Sequence, residues 1–435
     1  KLFQFSVPLM VSSVLQLLFN AADIVVVGRF GGDNSLAAVG ATGSLINLLV
    51  NLFIGLSIGS NVVAAHYFGA GKKQELKNTV HTSMLISIIS GILLSVIGIL
   101  FAEPILKLMQ SPKEVLDLAA IYLKIYFSGM TASMIYNFGS ALLRAKGDTT
   151  RPLIILLIAG VINVILNLIF VIIFNMDVAG VALATIISQI FSAIFIIFIL
   201  IRENDEFKLN LKSLKIHSHI LGKIVKIGVP AGFQGIMFSF SNVIIQSSVN
   251  SFGPTLIAGN SAALNLEGFI YTAMNGFSQG ALTFCSQNLG AKKINRIKNV
   301  VFISQISIFV IGLVLGVLGL IFGRQLLGIY SKNPIVIEQG MLRLVVIFST
   351  YYLCGMMDSM ANTIRGCGHS LTPALITIFG ACILRILWLA TIFQIPKFHN
   401  PTTIYLSYPI SWAVTFIMQT ICFLIFFKRI KTNFV

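Results

Sequence analysis

The sequence predicts an all-α polytopic membrane protein with twelve transmembrane helices, arranged as two pseudo-symmetric six-helix bundles in a parallel repeat. Three observations predict this fold class. The 435 residues are 56% hydrophobic and only 10% charged, with a mean hydropathy of +0.92. The loops alternate between strongly and weakly basic, and the second half of the chain repeats loop signatures of the first. Because soluble domains carry about 25% charged residues, we expect the bilayer to be the main solvent.

Long apolar runs set the number of helices. A helix crosses the hydrocarbon core with about 20 residues, and longer runs tilt or protrude. The predicted spans lie at about 2–29, 36–67, 77–101, 114–143, 152–174, 179–201, 221–251, 256–288, 298–322, 334–364, 373–395 and 403–427.

Basic residues predict the orientation of these spans. The net charge of +16 comes mostly from the even-numbered loops and the C-terminal tail. The basic residues of the even-numbered loops include Lys72, Lys146, Arg202, Lys292 and Arg365. The positive-inside rule therefore places both termini and these loops in the cytoplasm. We expect a multi-pass protein of the cell membrane that has no nucleic-acid partner.

The cysteine pattern predicts neither disulfides nor a metal site. All five cysteines lie in the second half, and nearly all lie in apolar runs. No CxxC pair or His/Cys cluster has the spacing of a zinc site. We interpret these cysteines as small buried hydrophobes.

An internal repeat divides the chain into two halves. The dipeptide VP ends at residues 8 and 230, and FG ends at residues 31 and 253, so both pairs are 222 apart. An R-x-x-G-x-x-x-x-P pattern begins at 144 and at 365, which are 221 apart. Because six spans separate equivalent points, the halves share one orientation, as in the parallel repeats of secondary transporters.

The repeat predicts the domain organisation. We expect a six-helix lobe at 1–201, a cytoplasmic linker at 202–219 and a second six-helix lobe at 220–435. The linker is the longest polar stretch of the chain. Two lobes joined by a flexible linker could rock around a central cavity.

Several motifs carry a resemblance to a known family. These are the VP opening of each half, ADIVVVGRFG, YFGAGKKQELKN, LLRAKGDTTRP, GVALATIISQ, RGCGHSLTP and YPISW. Taken together and in this order, they resemble a bacterial subgroup of the multidrug and toxic compound extrusion (MATE) family. That family is part of the multidrug/oligosaccharidyl-lipid/polysaccharide exporter superfamily.

The resemblance implies a cation-coupled antiporter that works by alternating access. It implies small-molecule drugs or toxic amphiphiles as substrates, H⁺ or Na⁺ as the coupling ion, and no further cofactor. The protein would be a monomer in the lipid bilayer and not an enzyme.

Three carboxylates are candidates for membrane burial, at Asp23, Glu267 and Asp358, because the other acids lie in loops or near interfaces. Inserting such a group costs at least about 2.5–3.5 kcal/mol, so a functional role is the default. Gln16, Asn20 and Asp23 share one helical face, which makes the first two a supporting polar face. The alternative is that Asp23 only hydrogen-bonds a neighbouring helix.

The fifth and sixth spans contain polar residues that match the cation site implied by the resemblance. Asn163 and Asn167 are four apart and therefore share a face. The family pattern assigns Asp23, Asn163, Asn167 and Thr185 to a cation-coupling site. Some relatives carry Asp where this chain has Asn167. A single carboxylate with neutral oxygens could hold Na⁺, or Asp23 could act as a lone proton acceptor.

The second lobe is not a copy of this site. We expect a charged cluster of Glu267, Asp358 and Arg385, because Arg385 is costly alone and should pair with one of the two acids. Whether that pair is structural or opens during transport stays open. Candidates for the substrate cavity flank Glu267 or begin span seven; they are Met237, Phe238, Tyr271, Met274 and Phe277.

Two other functions are compatible with a polytopic fold. A lipid-linked oligosaccharide flippase of the same superfamily would need several basic residues in its cavity, whereas we expect Arg385 to be the only one well inside a span. A membrane acyl- or glycosyltransferase would need a catalytic His/Asp cluster at an interface, and the sequence has no such pairing.

Overall fold

The fold is described by a computed structural model over residues 1–108 and 113–434. Within these residues all regular structure is helical. The α-helices are α1 Leu2–Phe30, α2 Asp33–Gly69, α3 Lys73–Leu108, α4 Lys113–Ser128, α5 Met130–Lys146, α6 Thr150–Leu168, α7 Asp177–Arg202, α8 Ser218–Asn250, α9 Pro254–Gly290, α10 Ile294–Ile321, α11 Gly323–Tyr330, α12 Pro334–Phe348, α13 Tyr351–Gly366, α14 Leu371–Thr377, α15 Leu384–Ala390 and α16 Pro401–Phe434. π-helical turns follow α6 at Ile169–Ile173 and α14 at Ile378–Ile383.

The helices confirm the predicted polytopic all-α class. Over the described ranges, nine helices are long and apolar enough to cross a membrane, and two bent pairs raise the total to eleven. The bent pairs are α4 with α5 and α12 with α13, each bent by 48°. Helix α9 is 37 residues long and covers the remaining predicted span, but it carries more polar residues. The two bends fall at equivalent places in the repeat, next to Gly129 and Thr350.

The repeat is visible in two close helix crossings. In the first half, Gly55 and Gly59 of α2 lie against the backbone of α8 at Gly228 and Gly232. A Cβ added to Gly55 would lie 2.4 Å from the backbone nitrogen of Gly232. In the second half, Gly276 and Gly280 of α9 lie in the same way against the start of α1, at Ser6 and Met10. Because small residues allow helices to approach closely in lipid, glycine is required at these crossings.

The chain forms two units, one of Val11–Gly232 and one of Lys1–Met10 with Phe233–Val435. The start of α1 therefore groups with the second half of the chain, and the start of α8 groups with the first half. The lobe boundaries predicted at 201 and 220 do not coincide with these limits. The exchanged ends are the segments that make the glycine crossings.

The segment between α7 and α8 belongs to the unit Val11–Gly232 and packs against other parts of it. Phe207 is fully buried and Leu209 is 2% exposed. The ring of Phe207 meets that of Phe68 edge-on at 5.5 Å. Lys73 forms an ion pair of 2.8 Å with Glu206, and its hydrogen bond lowers the pKa of that carboxyl. Part of the segment expected to be a flexible linker is therefore packed, because Phe207 and Leu209 are covered and Glu206 is paired.

Replacing Phe207 by Ala is expected to release this segment. Truncating a fully buried Phe costs about 3–5 kcal/mol, and here the loss falls on a short polar segment. We expect trypsin to cleave faster at Lys208 and Lys212 in purified protein. Leu211→Ala is the matched control, because Leu211 is 54% exposed. Equal cleavage of the Phe207 variant and wild type would contradict the observed packing.

Candidate functional site

The polar residues predicted on the first, fifth and sixth spans meet in one hydrogen-bond network. The Asn167 amide of α6 donates to the Asp23 carboxylate of α1. The same Nδ2 lies 3.3 Å from Asn163 Oδ1, and Asn163 Nδ2 lies 3.4 Å from Thr185 Oγ1 of α7. Asp23 is 9% exposed and Asn167 is fully buried. The structure therefore brings together all four residues of the predicted cation-coupling set.

Local helix geometry positions the two asparagines. They are one turn apart on α6, and the helix changes to a π-helical turn directly after Asn167, at Ile169–Ile173. Single π-turns inside α-helices are frequent at functional sites. Thr185 donates its own proton to the carbonyl of Val181 at 3.0 Å, which leaves its oxygen free to accept.

The network offers more oxygen acceptors than donors. Asn167 Oδ1 is buried and has no hydrogen-bond partner. Together with Asp23, Asn163 and Thr185 it forms a group of oxygens around a single carboxylate. No group of three or more His, Cys, Asp or Glu side chains is placed to hold a metal anywhere in residues 1–108 and 113–434. The oxygens around Asp23 are the kind of groups that can accept a proton or coordinate a hard cation.

Gln16 and Asn20 do not join this network. Both side chains are exposed, whereas Asp23 is buried. The three residues share one face of the continuous helix α1, and Asn167 of α6 meets that face at Asp23. No hydrogen bond among the described residues joins Gln16 or Asn20 to Asp23, so their supporting role stays a prediction.

Two tyrosines near Asp23 were missed by the sequence analysis. Tyr122 and Tyr126 of α4 lie within electrostatic range of Asp23, and their rings stack at 5.9 Å. Their spacing of four residues on span four was the available signal. Phenol groups supply donors that favour a carboxylate and acceptors that favour a bound cation.

In the second half, Glu267 of α9 pairs with Arg343 of α12. Arg343 donates from Nε to Oε1 at 2.5 Å and from Nη2 to Oε2 at 2.8 Å. Its Nη1 donates to Asn260 Oδ1 at 3.0 Å. The expected pairing of Arg385 with Glu267 was therefore wrong. The available signal was Arg343 itself, which lies nine residues inside the predicted span 334–364 and was overlooked.

Asp358 is also separate from Arg385. It accepts from Ser278 Oγ at 3.1 Å, and Ser278 accepts from Asn362 at 2.7 Å. Arg365 completes this chain by donating to Asn362, so Asp358 is linked to Arg365 through two side chains. Arg365 is only 4% exposed. It is therefore not an exposed loop residue. The expectation that Arg385 is the only basic residue well inside a span was wrong, because Arg343 and Arg365 are buried as well.

The structure divides the residues predicted to line a substrate cavity. Met274 and Phe277 are buried in the core of the second half, where Met274 fills the space beside Gly312 and Gly355. Both side chains are packed in this core rather than facing a cavity, because Gly312 and Gly355 leave space that Met274 fills and the ring of Phe277 meets that of Phe3 edge-on at 5.1 Å. Met237, Phe238 and Tyr271 are half-buried, and Tyr271 lies within electrostatic range of Asp358.

Sequence comparisons match both halves. A family model described as MatE matches residues 8–169 and 230–390, and these limits are offset by the same 222 and 221 residues as the internal repeat. The probable multidrug resistance protein YoeA of Bacillus subtilis (strain 168) is 28% identical over 382 residues, covering 86% of this chain and 82% of YoeA. The multidrug export protein MepA of Staphylococcus saprophyticus is 25% identical over 388 residues, covering 89% of this chain and 86% of MepA.

Solved structures have the same fold. The crystal structure of "MATE in the straight conformation" superposes with a TM-score of 0.93 at 20% identity, covering 99% of this chain and 96% of that one. The outward-facing conformation of "a multidrug resistance MATE family transporter of the MOP superfamily" gives the same TM-score, identity and coverage. The family model covers most of both halves, and the chain therefore belongs to the MatE family of transporters.

Proposed function

We propose that this protein is a multidrug efflux antiporter of the cell membrane that exports amphiphilic, often cationic compounds in exchange for H⁺ or Na⁺. The observation that carries the proposal is the buried network around Asp23, which combines one carboxylate with three neutral polar side chains. Among its relatives, YoeA is a probable multidrug resistance protein and MepA is a multidrug export protein. These relatives also favour drug export over the flippase alternative.

Coupling requires that the ion favour one conformation over another. An ion shifts a conformational equilibrium only through different affinities in the two states. Asp23 and Asn167 lie on different helices, α1 and α6, so a relative movement of these helices changes the oxygens available to a cation. In the proposed cycle, ion binding from outside favours release of drug, and drug binding from inside favours release of the ion.

Transport from proteoliposomes tests this function. Purified protein is reconstituted, and efflux of one fluorescent cationic dye is followed under an imposed H⁺ gradient and, separately, an imposed Na⁺ gradient. The proposal expects one gradient to drive efflux above its rate in the same vesicles after the gradient is dissipated. Dye movement that ignores both gradients would contradict coupling.

Asn167→Asp is expected to strengthen ion binding at this site. The substitution places a second carboxylate against Asp23, and like charges in contact raise affinity for a proton or cation. We expect the half-saturating concentration of the coupling ion to fall by about tenfold, which corresponds to about 1.4 kcal/mol. Dye efflux against ion concentration measures it. An unchanged dependence would mean that the coupling ion does not bind beside Asn167.

A further inference from the structure

An uncompensated cation lies buried in the unit of Lys1–Met10 with Phe233–Val435. Arg385 of α15 is 2% exposed. Among the described residues no carboxylate lies within the 4.0 Å of an ion pair to it. Glu267 is held by both of its oxygens on Arg343, and Asp358 is linked to Arg365. Since guanidinium stays charged in proteins, the buried positive charge of Arg385 is unbalanced.

The surroundings of Arg385 provide partners for only some of the hydrogen-bond donors of its guanidinium group. Its Nε donates to Ser411 Oγ at 2.7 Å. Its Cζ lies 4.3 Å from the centroid of the Tyr408 ring and 5.6 Å from that of Trp412. Aromatic faces stabilise a cation, but they accept no in-plane hydrogen bond. The Nη2 group is buried and has no partner.

A second orphan donor belongs to the same aromatic cluster. The hydroxyl of Tyr405 is buried without a hydrogen-bond partner. Arg343 Cζ lies 5.4 Å from the Tyr405 ring and 5.0 Å from the Tyr408 ring, so the two tyrosines flank one guanidinium while Tyr408 also faces the other. Buried polar groups are normally paired. The group missing from this cluster is an acceptor, and the unbalanced charge makes a negative acceptor the favourable one.

We propose that Arg385, with Tyr408, Trp412 and the Tyr405 hydroxyl, forms a binding site for a monovalent anionic group. The ligand class is an aromatic carboxylate or sulfonate, whose anion would meet Nη2 while its ring packs against the tryptophan. A halide ion shares the anionic chemistry without the ring. The proposal goes beyond ion coupling at Asp23, and equilibrium binding tests it without transport.

Two matched ligands separate charge from apolar contact. Binding of 2-naphthoate and of 2-naphthamide to purified full-length protein is measured by calorimetry. We expect naphthoate to bind at least about tenfold more tightly, because only it neutralises the guanidinium. Arg385→Gln should abolish this preference, and Arg385→Lys should retain part of it. Equal affinities in wild type would exclude an organic anion as the ligand, and a naphthoate preference that survives in Arg385→Gln would overturn the proposal.

A second experiment, with halide ions, tests whether the site binds a halide or an organic anion. Iodide quenches tryptophan fluorescence, and the chain has two tryptophans, Trp388 and Trp412. In a Trp388→Phe background, a saturable quenching phase that chloride competes away and Arg385→Gln removes would show a halide site. Naphthoate preference without this phase would assign the site to organic anions. Absence of both effects would refute the site.

Stability measurements keep the test valid if a variant unfolds. Because Arg385 has no ion-pair partner among the described residues, Arg385→Gln strands no buried acid and should keep a melting temperature at or above that of wild type. If Arg385→Gln does not fold but Arg385→Lys does, the binding of naphthoate and naphthamide is compared in Arg385→Lys instead. In that case a naphthoate preference and a halide phase that are both unchanged in Arg385→Lys would overturn the proposal.

Discussion

Asp23→Asn is expected to fold and insert normally and to lose gradient-driven export. The amide keeps the size of the side chain and can still accept the hydrogen bond from Asn167. It removes a charge from the membrane, which is thermodynamically favourable. It takes up no proton near neutral pH and supplies no anionic ligand. We expect dye efflux to fall to the level of vesicles without a gradient.

The control for this experiment lies on the same helix. Gln16 shares the helical face of Asp23, but its side chain is exposed and outside the network. Gln16→Ala should therefore export dye at a rate close to wild type at matched protein levels. Dye binding measured without a gradient should survive in Asp23→Asn. Wild-type export by Asp23→Asn would show that the carboxylate only joins α1 to α6.

Arg343→Met is expected to be the most destabilising single change in the second half. It removes both hydrogen bonds to Glu267 and leaves a carboxylate that is 5% exposed without its partner. Breaking a buried ion pair in this way costs about 3–5 kcal/mol. Thermal unfolding in detergent, followed by loss of the monodisperse peak in size-exclusion chromatography, measures it.

The double variant separates stranded charge from lost packing. Glu267→Gln combined with Arg343→Met removes both charges, so much of the lost stability should return. A double variant that is as unstable as Arg343→Met would mean that the long arginine side chain acts mainly through packing against Tyr405 and Tyr408.

The sequence alone was sufficient for the architecture. Hydropathy identified helix positions, because only helices and closed barrels satisfy their backbone groups in lipid. The repeat at 222 and 221 residues reappears in the family match and in the paired glycine crossings. It was also sufficient to bring Asp23, Asn163, Asn167 and Thr185 into one group. The four-residue spacing placed Asn163 and Asn167 on one face of α6, and the family resemblance added Asp23 of α1 and Thr185 of α7.

Only the tertiary structure decided which charges meet. Helical spacing predicts neighbours along one helix, but partners on different helices depend on rotation and depth. Glu267 therefore pairs with Arg343 rather than Arg385. In the same way, Met274 is a core residue because glycines on other helices, Gly312 and Gly355, leave the space that it fills. The segment between α7 and α8 is polar by composition, yet its Phe207 and Leu209 are buried. Each outcome depends on a surface contributed by a distant part of the chain, which local sequence does not specify.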